Sequence, residues 1–197
     1  GTTSSRNGSF TSTGSNTRPD GWLTKMNKDG LLEWQKIILG TSNISDIKKC
    51  SDGGFILAGK NINQGAFLNQ SDIYVAKVNA AGITQWVREI DAFNNQDNDE
   101  SIRIIQSQDN GFLLIGRSET SSVLIKFNSV GIREWQRSGA PIQTDITATP
   151  DNGYLLTYTG YLPGCRSNAT NASNDIMVAK FSSVGDILWQ KCFGGTG

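Results

Sequence analysis

Short apolar runs separated by turn-forming residues dominate the hydrophobic pattern of this chain. Runs such as FILAG (residues 55–59), DIYVAKV (72–78) and FLLIG (112–116) are apolar at nearly every position. That pattern is typical of strands in sheets covered on both faces. Gly, Asn, Asp and Ser, the residues that turns favour, bound each run. No helical stripe of useful length is present, so the pattern predicts an all-β protein.

One motif occurs four times at fixed spacing. A Lys is followed after five positions by Gly and after nine by Trp, at residues 25–34, 77–86, 126–135 and 180–189. Successive Trp residues are 52, 49 and 54 positions apart. A second motif, Asp-Gly/Asn-Gly-Phe/Tyr, opens another strand at residues 52–55, 109–112 and 151–154, and a weaker copy starts at Asn7. A period of about 50 residues holding four strands is typical of a β-propeller blade.

We predict that the four strands of each period form one antiparallel meander. The link at residues 116–121 suits neighbouring strands better than a crossing of a sheet roughly 14 Å wide. The Asp-Gly and Asp-Asn-Gly turns supply the left-handed backbone that tight hairpins require. The long loops at residues 60–71 and 161–174 would then protrude from one face.

These strands define four predicted blades within a single propeller region, residues 1–197. They cover residues 1–38, with an incomplete first strand, then 44–90, 100–138 and 143–193. Two assemblies remain open, namely a closed four-bladed ring and part of a larger propeller. We favour the larger propeller, because four blades lie at the low end of the usual range.

The Trp at a fixed position in each repeat predicts packing between blades rather than stacking on sugars. A Lys or Arg two positions later lies on the same strand face, and we expect its stem to cover the ring. The four pairs are Trp34 with Lys36, Trp86 with Arg88, Trp135 with Arg137, and Trp189 with Lys191.

The amino-acid composition excludes several classes of ligand and of catalytic site. The chain has 18 Lys and Arg, 18 Asp and Glu, and no His. The zero balance without a basic cluster argues against nucleic acid and against anionic membrane surfaces. Without His, the Ser-His-Asp and Cys-His nucleophile systems are excluded, and no apolar run is long enough for membrane insertion. We therefore predict no enzymatic activity, and assign no catalytic, cofactor-binding or metal-binding residue.

Two groups of acidic residues are candidate sites. Asp97, Asp99 and Glu100 form an acidic stretch that could offer oxygens to Ca²⁺, although a solvated acidic turn is the simpler interpretation. The aligned residues Asp20, Asp72 and Asp175 begin the third strands, and we expect them to cap turn N–H groups.

The three cysteines divide into a predicted pair and a single residue. Cys165, in the loop after a second strand, and Cys192, at the end of a fourth strand, fall on the same face of the last blade. A disulfide between them is our hypothesis for an oxidising compartment. Cys50 is expected to be a small buried residue.

The periodic pattern D-x-x-[VL]-x-K-x-[ND]-x-x-G-x-x-x-W-x-[KR], followed by [DN]-G-G-[FY]-[IL]-x-x-G, resembles the repeats of secreted and cell-surface β-propeller proteins of Bacteroidota. The tail WQKCFGGTG (residues 189–197) resembles the turn of that family into a following blade. Ser121 departs from the pattern, since the other repeats have Asp there. The resemblance implies export, often by type IX secretion, and an extracellular or outer-surface location.

The expected function is that of a non-catalytic extracellular module for protein interaction or adhesion. Its partner would be a protein or a surface glycan, bound through the variable loops at residues 60–71 and 161–174. One alternative is a lectin-like glycan binder that uses Phe67 or Tyr161. A second is a His-independent hydrolase with carboxylates or a metal near the propeller axis.

Overall fold

A computed structural model describes residues 2–3, 20–62, 71–92, 98–118, 121–140, 143–160 and 175–193. These ranges contain fifteen β-strands and no helix. Within the same ranges, no helical segment meets the length and hydropathy that a membrane span needs. The prediction of an all-β fold is confirmed.

The strands form four sheets of chain neighbours. The first contains β1 (Thr2–Thr3), β2 (Asp20–Met26) and β3 (Leu32–Ile38). The second contains β4 (Asn43–Lys49), β5 (Phe55–Ile62), β6 (Ser71–Val78) and β7 (Thr84–Ile90). The third contains β8 (Glu100–Gln106), β9 (Phe112–Arg117), β10 (Ser122–Phe127) and β11 (Arg133–Ala140). The fourth contains β12 (Gln143–Ala148), β13 (Tyr154–Gly160), β14 (Asp175–Phe181) and β15 (Ile187–Phe193).

Each of the last three sheets follows chain order from edge to edge, as in β4-β5-β6-β7. The predicted meander is therefore confirmed. Repeated four-stranded antiparallel sheets of this kind are compatible with the blades of a β-propeller.

The Lys and the Trp of the motif lie on neighbouring strands. Lys180 of β14 is opposite Trp189 of β15, and Lys77 of β6 is opposite Trp86 of β7 in the same way. The two key residues of the motif are thus cross-strand neighbours.

The chain divides into two compact units, residues 1–102 and 103–197, with the boundary inside β8. In the first unit, Leu23 and Ile38 of the first sheet form a cluster with Leu57, Tyr74 and Ala76 of the second. All five side chains are at most 8% exposed. The first two sheets therefore share one apolar core.

In the second unit, the continuous apolar runs form the central strands. Every residue of β10 is buried, and Leu114 of the adjacent β9 is 0% exposed. Met177 and Ala179 of β14 are also 0% exposed. In β9 and β10 the apolar run does not alternate with polar residues, because side chains on both sides of these strands are buried. In β14, by contrast, Ile176 is 58% exposed beside the buried Met177.

The hairpin between the first and second strand turns through the left-handed region, as predicted. Gly53, Asn110 and Asn152 have φ values of 79°, 62° and 62°. The glycine after each of them is needed because a side chain there would collide with the motif Lys. A Cβ at Gly54 would lie 2.6 Å from Lys77 Nζ, and one at Gly153 would lie 2.7 Å from Lys180 Nζ.

The motif Lys places a buried amine against this hairpin. Lys126 has a side chain only 2% exposed, and its Nζ lies 2.8 Å from Asp109 Oδ2. The same amine donates to Glu134 Oε2 and to the Phe127 carbonyl, both at 3.1 Å. One side chain therefore ties the hairpin turn to the third and fourth strands of its sheet.

The neighbouring repeats contain the same arrangement. Lys77 Nζ donates to Asp52 Oδ2 at 2.7 Å and to Gln85 Oε1 at 3.1 Å. Lys180 Nζ donates to Asp151 Oδ1 at 2.5 Å, and also to the Thr149 hydroxyl. Burying an amine is costly unless it is paired and hydrogen-bonded, so each Lys requires its turn carboxylate.

The carboxyl pKa values reflect this pairing. The hydrogen bond from Lys77 holds the pKa of Asp52 below its ordinary value of 3.8. At Asp109, burial acts to raise the pKa, but hydrogen bonds from Lys126 and Ser107 outweigh it and lower the pKa below 3.8. The pKa of Asp151 is lowered mainly by its hydrogen bond from Lys180. All three turns therefore favour the ionised carboxylate.

We predict that Lys126→Met lowers the free energy of unfolding by about 2 kcal/mol, because it keeps the stem but removes the buried donor from three acceptors. The matched control is Lys25→Met at the same repeat position. Lys25 is 39% exposed and pairs with Glu33 at 2.6 Å, so its loss should cost less than about 1 kcal/mol. Urea unfolding followed by tryptophan fluorescence measures both, and equal costs would contradict the role given to the buried amine.

We also predict a loss of stability in acid. A carboxyl whose pKa is lowered in the folded state stabilises it above the unfolded pKa of 3.8, and that stabilisation disappears as the pH falls through the folded value. The free energy of unfolding should therefore be nearly constant from about pH 5 to 9 and fall below about pH 4. Urea titrations across this range measure it. Asp109→Asn should show a shallower decline in acid, and an unchanged slope would argue against the Lys126 network as its source.

Candidate functional site

The motif Trp joins the first sheet to the second. A Cβ at Gly82, in the turn between β6 and β7, would lie 2.9 Å from both Trp34 Cζ3 and Lys36 Cγ. The Trp34 ring meets Phe55 edge-on, with centroids 6.3 Å apart and planes at 72°. The turn glycine is thus required by contact as well as by its φ of 76°.

The third and fourth sheets meet in the same way. A Cβ at Gly185 would lie 2.9 Å from Trp135 Cζ3, and the Trp135 ring meets Tyr154 at 6.4 Å and 65°. Trp135 Nε1 donates to the Ser183 carbonyl at 3.1 Å. Arg137 lies over the ring at 5.5 Å and donates to the Val184 carbonyl at 2.9 Å. These two contacts between sheets confirm the predicted packing of Trp34 and Trp135.

The prediction is wrong for Trp189, which is 44% exposed. Trp34 and Trp135 are each covered by the glycine turn of the next repeat, and the described residues provide no such cover for Trp189. Trp86 is half-buried. Arg88 lies 5.4 Å from the Trp86 centroid, and Lys191 lies 5.9 Å from that of Trp189, so the expected cover by the following cation is confirmed at both.

A groove of about 450 Å³ opens beside the contact between the first two sheets. One wall comes from the end of β2 and from Trp34, and the other from β4 and the start of β5. Its lining residues are Leu23, Thr24, Lys25, Met26, Trp34, Ile47, Lys49, Gly53 and Phe55. The volume falls within the range of small ligand pockets.

The groove is apolar with cationic edges. Met26 and Ile47 are 59% and 41% exposed, and Lys49 is exposed as well. Trp34 Nε1 is buried without a hydrogen-bond acceptor among the described residues, whereas its counterpart Trp135 donates to a backbone carbonyl. The arrangement suits an apolar group that also carries an acceptor or a negative charge.

The acidic stretch considered for Ca²⁺ is only partly described. Asp99 is 1% exposed, and its Oδ2 accepts the Ala92 N–H at 2.8 Å. Glu100 lies 3.6 Å from Lys60 Nζ, and Asp97 lies outside the described residues. Within the described ranges, no three His, Cys, Asp or Glu residues are grouped so as to hold a metal. Asp99 therefore supports the backbone just after β7, at Ala92.

The other candidate residues are dispersed. Asp20 and Asp175 begin β2 and β14, and Asp72 is the second residue of β6; their capping role stays a prediction. The central parts of the two variable loops, residues 63–70 and 161–174, lie outside the described residues, and with them Phe67 and Tyr161.

Two cysteines are described. Cys50 is free and 3% exposed, as expected, and burial raises the pKa of its thiol. Cys192 is disulfide-bonded, which confirms the part of the disulfide prediction that concerns this residue. Its predicted partner, Cys165, lies outside the described residues.

The sequence did not single out Met26, Ile47 or Lys49. Ile47 and Lys49 belong to a largely polar strand, NISDIKK, whose alternate residues face the groove. The only sequence signal was this alternation, which does not distinguish a ligand-facing residue from a solvent-facing one.

Comparison with known proteins identifies a structural likeness only. The chain is similar to a solved structure described as a protein of unknown function from Bacteroides caccae, with 11% sequence identity and a TM-score of 0.48. The match covers 86% of this chain and 74% of that one. No family model and no curated protein matches the sequence.

Proposed function

We propose that this chain is a non-catalytic interaction module of a secreted or cell-surface protein, and that the groove beside Trp34 binds a segment of a partner protein. The groove is the observation that carries the proposal. It combines a volume of about 450 Å³ with walls fixed by the contact of Trp34 with Gly82 and Phe55. A preformed concave surface of this kind lowers the ordering cost of binding.

The chemistry of the groove favours binding over bond cleavage. Its ionisable lining residues are Lys25 and Lys49, and Lys25 is already paired with Glu33 at 2.6 Å. Elsewhere, the turn carboxylates Asp52, Asp109 and Asp151 are engaged by motif lysines. These acids support the sheets, and they do not converge on the groove.

The expected ligand is an extended peptide with an apolar side chain next to a carboxylate. The apolar part would lie against Met26, Ile47 and Phe55, and the carboxylate would reach Lys49. Charge complementarity of this type contributes mainly to specificity and association rate.

Location outside the cytosol is supported by the disulfide at Cys192, because structural disulfides persist in oxidising compartments. It agrees with the resemblance to secreted and surface propeller repeats of Bacteroidota. Propeller architecture, adhesion and type IX export belong to this proposal.

The groove can be tested with a phage-displayed library of linear peptides selected on the immobilised chain. We expect enrichment of sequences that pair Asp or Glu with an aromatic or aliphatic residue. Binding of a selected synthetic peptide, measured by fluorescence polarisation, should weaken about tenfold in Lys49→Glu, the loss of one desolvated charge contact. The matched control is Lys48→Glu, because Lys48 is adjacent, pairs with Asp46 at 3.2 Å and does not line the groove.

Several outcomes would count against the proposal. Equal binding by both variants, or no enrichment, would remove the groove as a peptide site. Binding on a glycan array that is insensitive to Lys49→Glu would favour the lectin-like alternative. Turnover in a hydrolase screen, with or without Ca²⁺, would replace the scaffold by an enzyme.

The proposed oxidising compartment predicts that Cys50 is the free thiol of the chain and that the other two cysteines form a disulfide. Under non-reducing conditions, the native chain should resist alkylation, because Cys50 is buried and the pKa of its thiol is raised. After denaturation without reductant, mass spectrometry should find a single alkylated cysteine. Three alkylated cysteines in protein purified from an oxidising compartment would contradict the disulfide.

A further inference from the structure

The motif lysine of the first sheet is exposed, unlike its counterparts. The side chain of Lys25 is 39% exposed, whereas those of Lys77, Lys126 and Lys180 are 5%, 2% and 10% exposed. Lys25 also lines the groove beside Trp34. The first sheet therefore presents to the groove the amine that the other three sheets pair with the acid of a hairpin.

The third sheet shows that a motif lysine can hold two carboxylates at once. Lys126 Nζ lies 2.8 Å from Asp109 Oδ2 and 3.1 Å from Glu134 Oε2. Glu134 directly precedes the motif Trp of its repeat, and Glu33 occupies the same position in the first repeat. The 2.6 Å pair of Lys25 with Glu33 is thus the counterpart of the pair with Glu134.

The first repeat has no acid at the position of Asp109. Its weaker copy of the hairpin motif has Asn7 where the later repeats have Asp52, Asp109 and Asp151. A neutral amide does not balance the charge of an ammonium group. Among the described residues, Lys25 therefore has the carboxylate of Glu33 and retains the capacity for a second one.

The described hairpins show which kind of acid a motif lysine binds. Each acid is followed two positions later by Gly and then by Phe or Tyr. The Gly N–H orients the carboxylate, since Gly54 donates to Asp52 Oδ1 at 2.9 Å. A Cβ at Gly54 would lie 2.6 Å from Lys77 Nζ, so a side chain there would collide with the amine. The unit that a motif lysine recognises is therefore Asp-x-Gly.

We propose that the groove beside Trp34 binds a partner segment with the pattern Asp-x-Gly followed by an apolar residue, and that Lys25 receives the Asp carboxylate. The inference rests on the proposed peptide groove and specifies its ligand. Lys49 on the opposite wall attracts the same negative charge, and the exposed side chains of Met26 and Ile47 contact the apolar residue. Lys25 is thus a specificity-determining residue of the groove.

The hairpin of the second sheet supplies the probe. A fluorescein-labelled synthetic peptide SDGGFIL, copied from residues 51–57, is titrated with the whole chain and followed by fluorescence polarisation. It should bind saturably, and the peptide with Asn in place of Asp should bind about tenfold more weakly, the loss of one charge-assisted contact. SDNGFIL should bind like SDGGFIL, whereas SDGAFIL should bind weakly because its Ala side chain meets the amine.

Lys25→Met tests the receiving amine, because it keeps the apolar stem and removes the charge. The variant should bind SDGGFIL about tenfold more weakly and should bind the Asp and Asn peptides equally, which a merely structural role of Lys25 would not produce. The matched control is Lys28→Met, since Lys28 is 88% exposed, pairs with Asp29 at 2.8 Å and does not line the groove. This control should distinguish the two peptides as wild type does, and circular dichroism checks that both variants are folded.

The outcomes separate this inference from the groove itself. If peptides selected from the library bind in a Lys49-dependent manner but SDGGFIL does not, the Asp-x-Gly specificity is wrong and the peptide groove stands. If wild type binds the Asp and Asn peptides equally, or if Lys25→Met keeps the tenfold difference, Lys25 is not the receiving residue. If no peptide binds, both proposals are overturned. The comparison of the two peptides on wild type needs no variant, so it decides the matter even if Lys25→Met does not fold.

Discussion

The buried motif lysine is the interaction on which the regularity of the sheets depends. An amine that is only 2–10% exposed, as in the second to fourth sheets, must find acceptors inside the protein. It finds them in the hairpin before it and, for Lys77 and Lys126, also in the strand after it, so the amine links these segments of the sheet. The glycine beside the hairpin acid leaves room for the amine, which explains why the two motifs occur together in the last three repeats.

The motif tryptophan supplies the contact between neighbouring sheets, as Trp34 and Trp135 show. Its ring lies on a glycine turn that cannot carry a side chain, and its neighbouring cation covers the exposed edge. The contact involves only adjacent repeats, which is the usual basis of stability in repeat proteins. It also creates the groove, because the aromatic contact between Trp34 and Phe55 ends before the strands do, leaving apolar side chains from both sheets in contact with solvent.

Much of the fold could be predicted from the sequence, because the strand runs, the turn residues and the repeat are local signals. The antiparallel meander and the left-handed turn positions followed from them. The partnership of Lys126 with Asp109 was missed although both belong to fixed motifs, since they are 17 positions apart in the sequence and only strand pairing brings them into contact. The groove was missed because Ile47 and Lys49 become neighbours of Trp34 only after two sheets pack. Trp189 shows the converse limit, since a residue identical in motif to Trp135 is 44% exposed, and the motif alone does not tell which copy is covered.

The nearest-neighbour character of the tryptophan contact has a consequence for how such a protein changes over evolutionary time. A duplicated stretch of roughly 50 residues would bring its own indole, glycine turn and lysine, and would fit between existing repeats without any compensating substitution. Gain or loss of whole repeats is therefore the least disruptive large mutation open to this architecture, while the loops that vary in length can diverge freely.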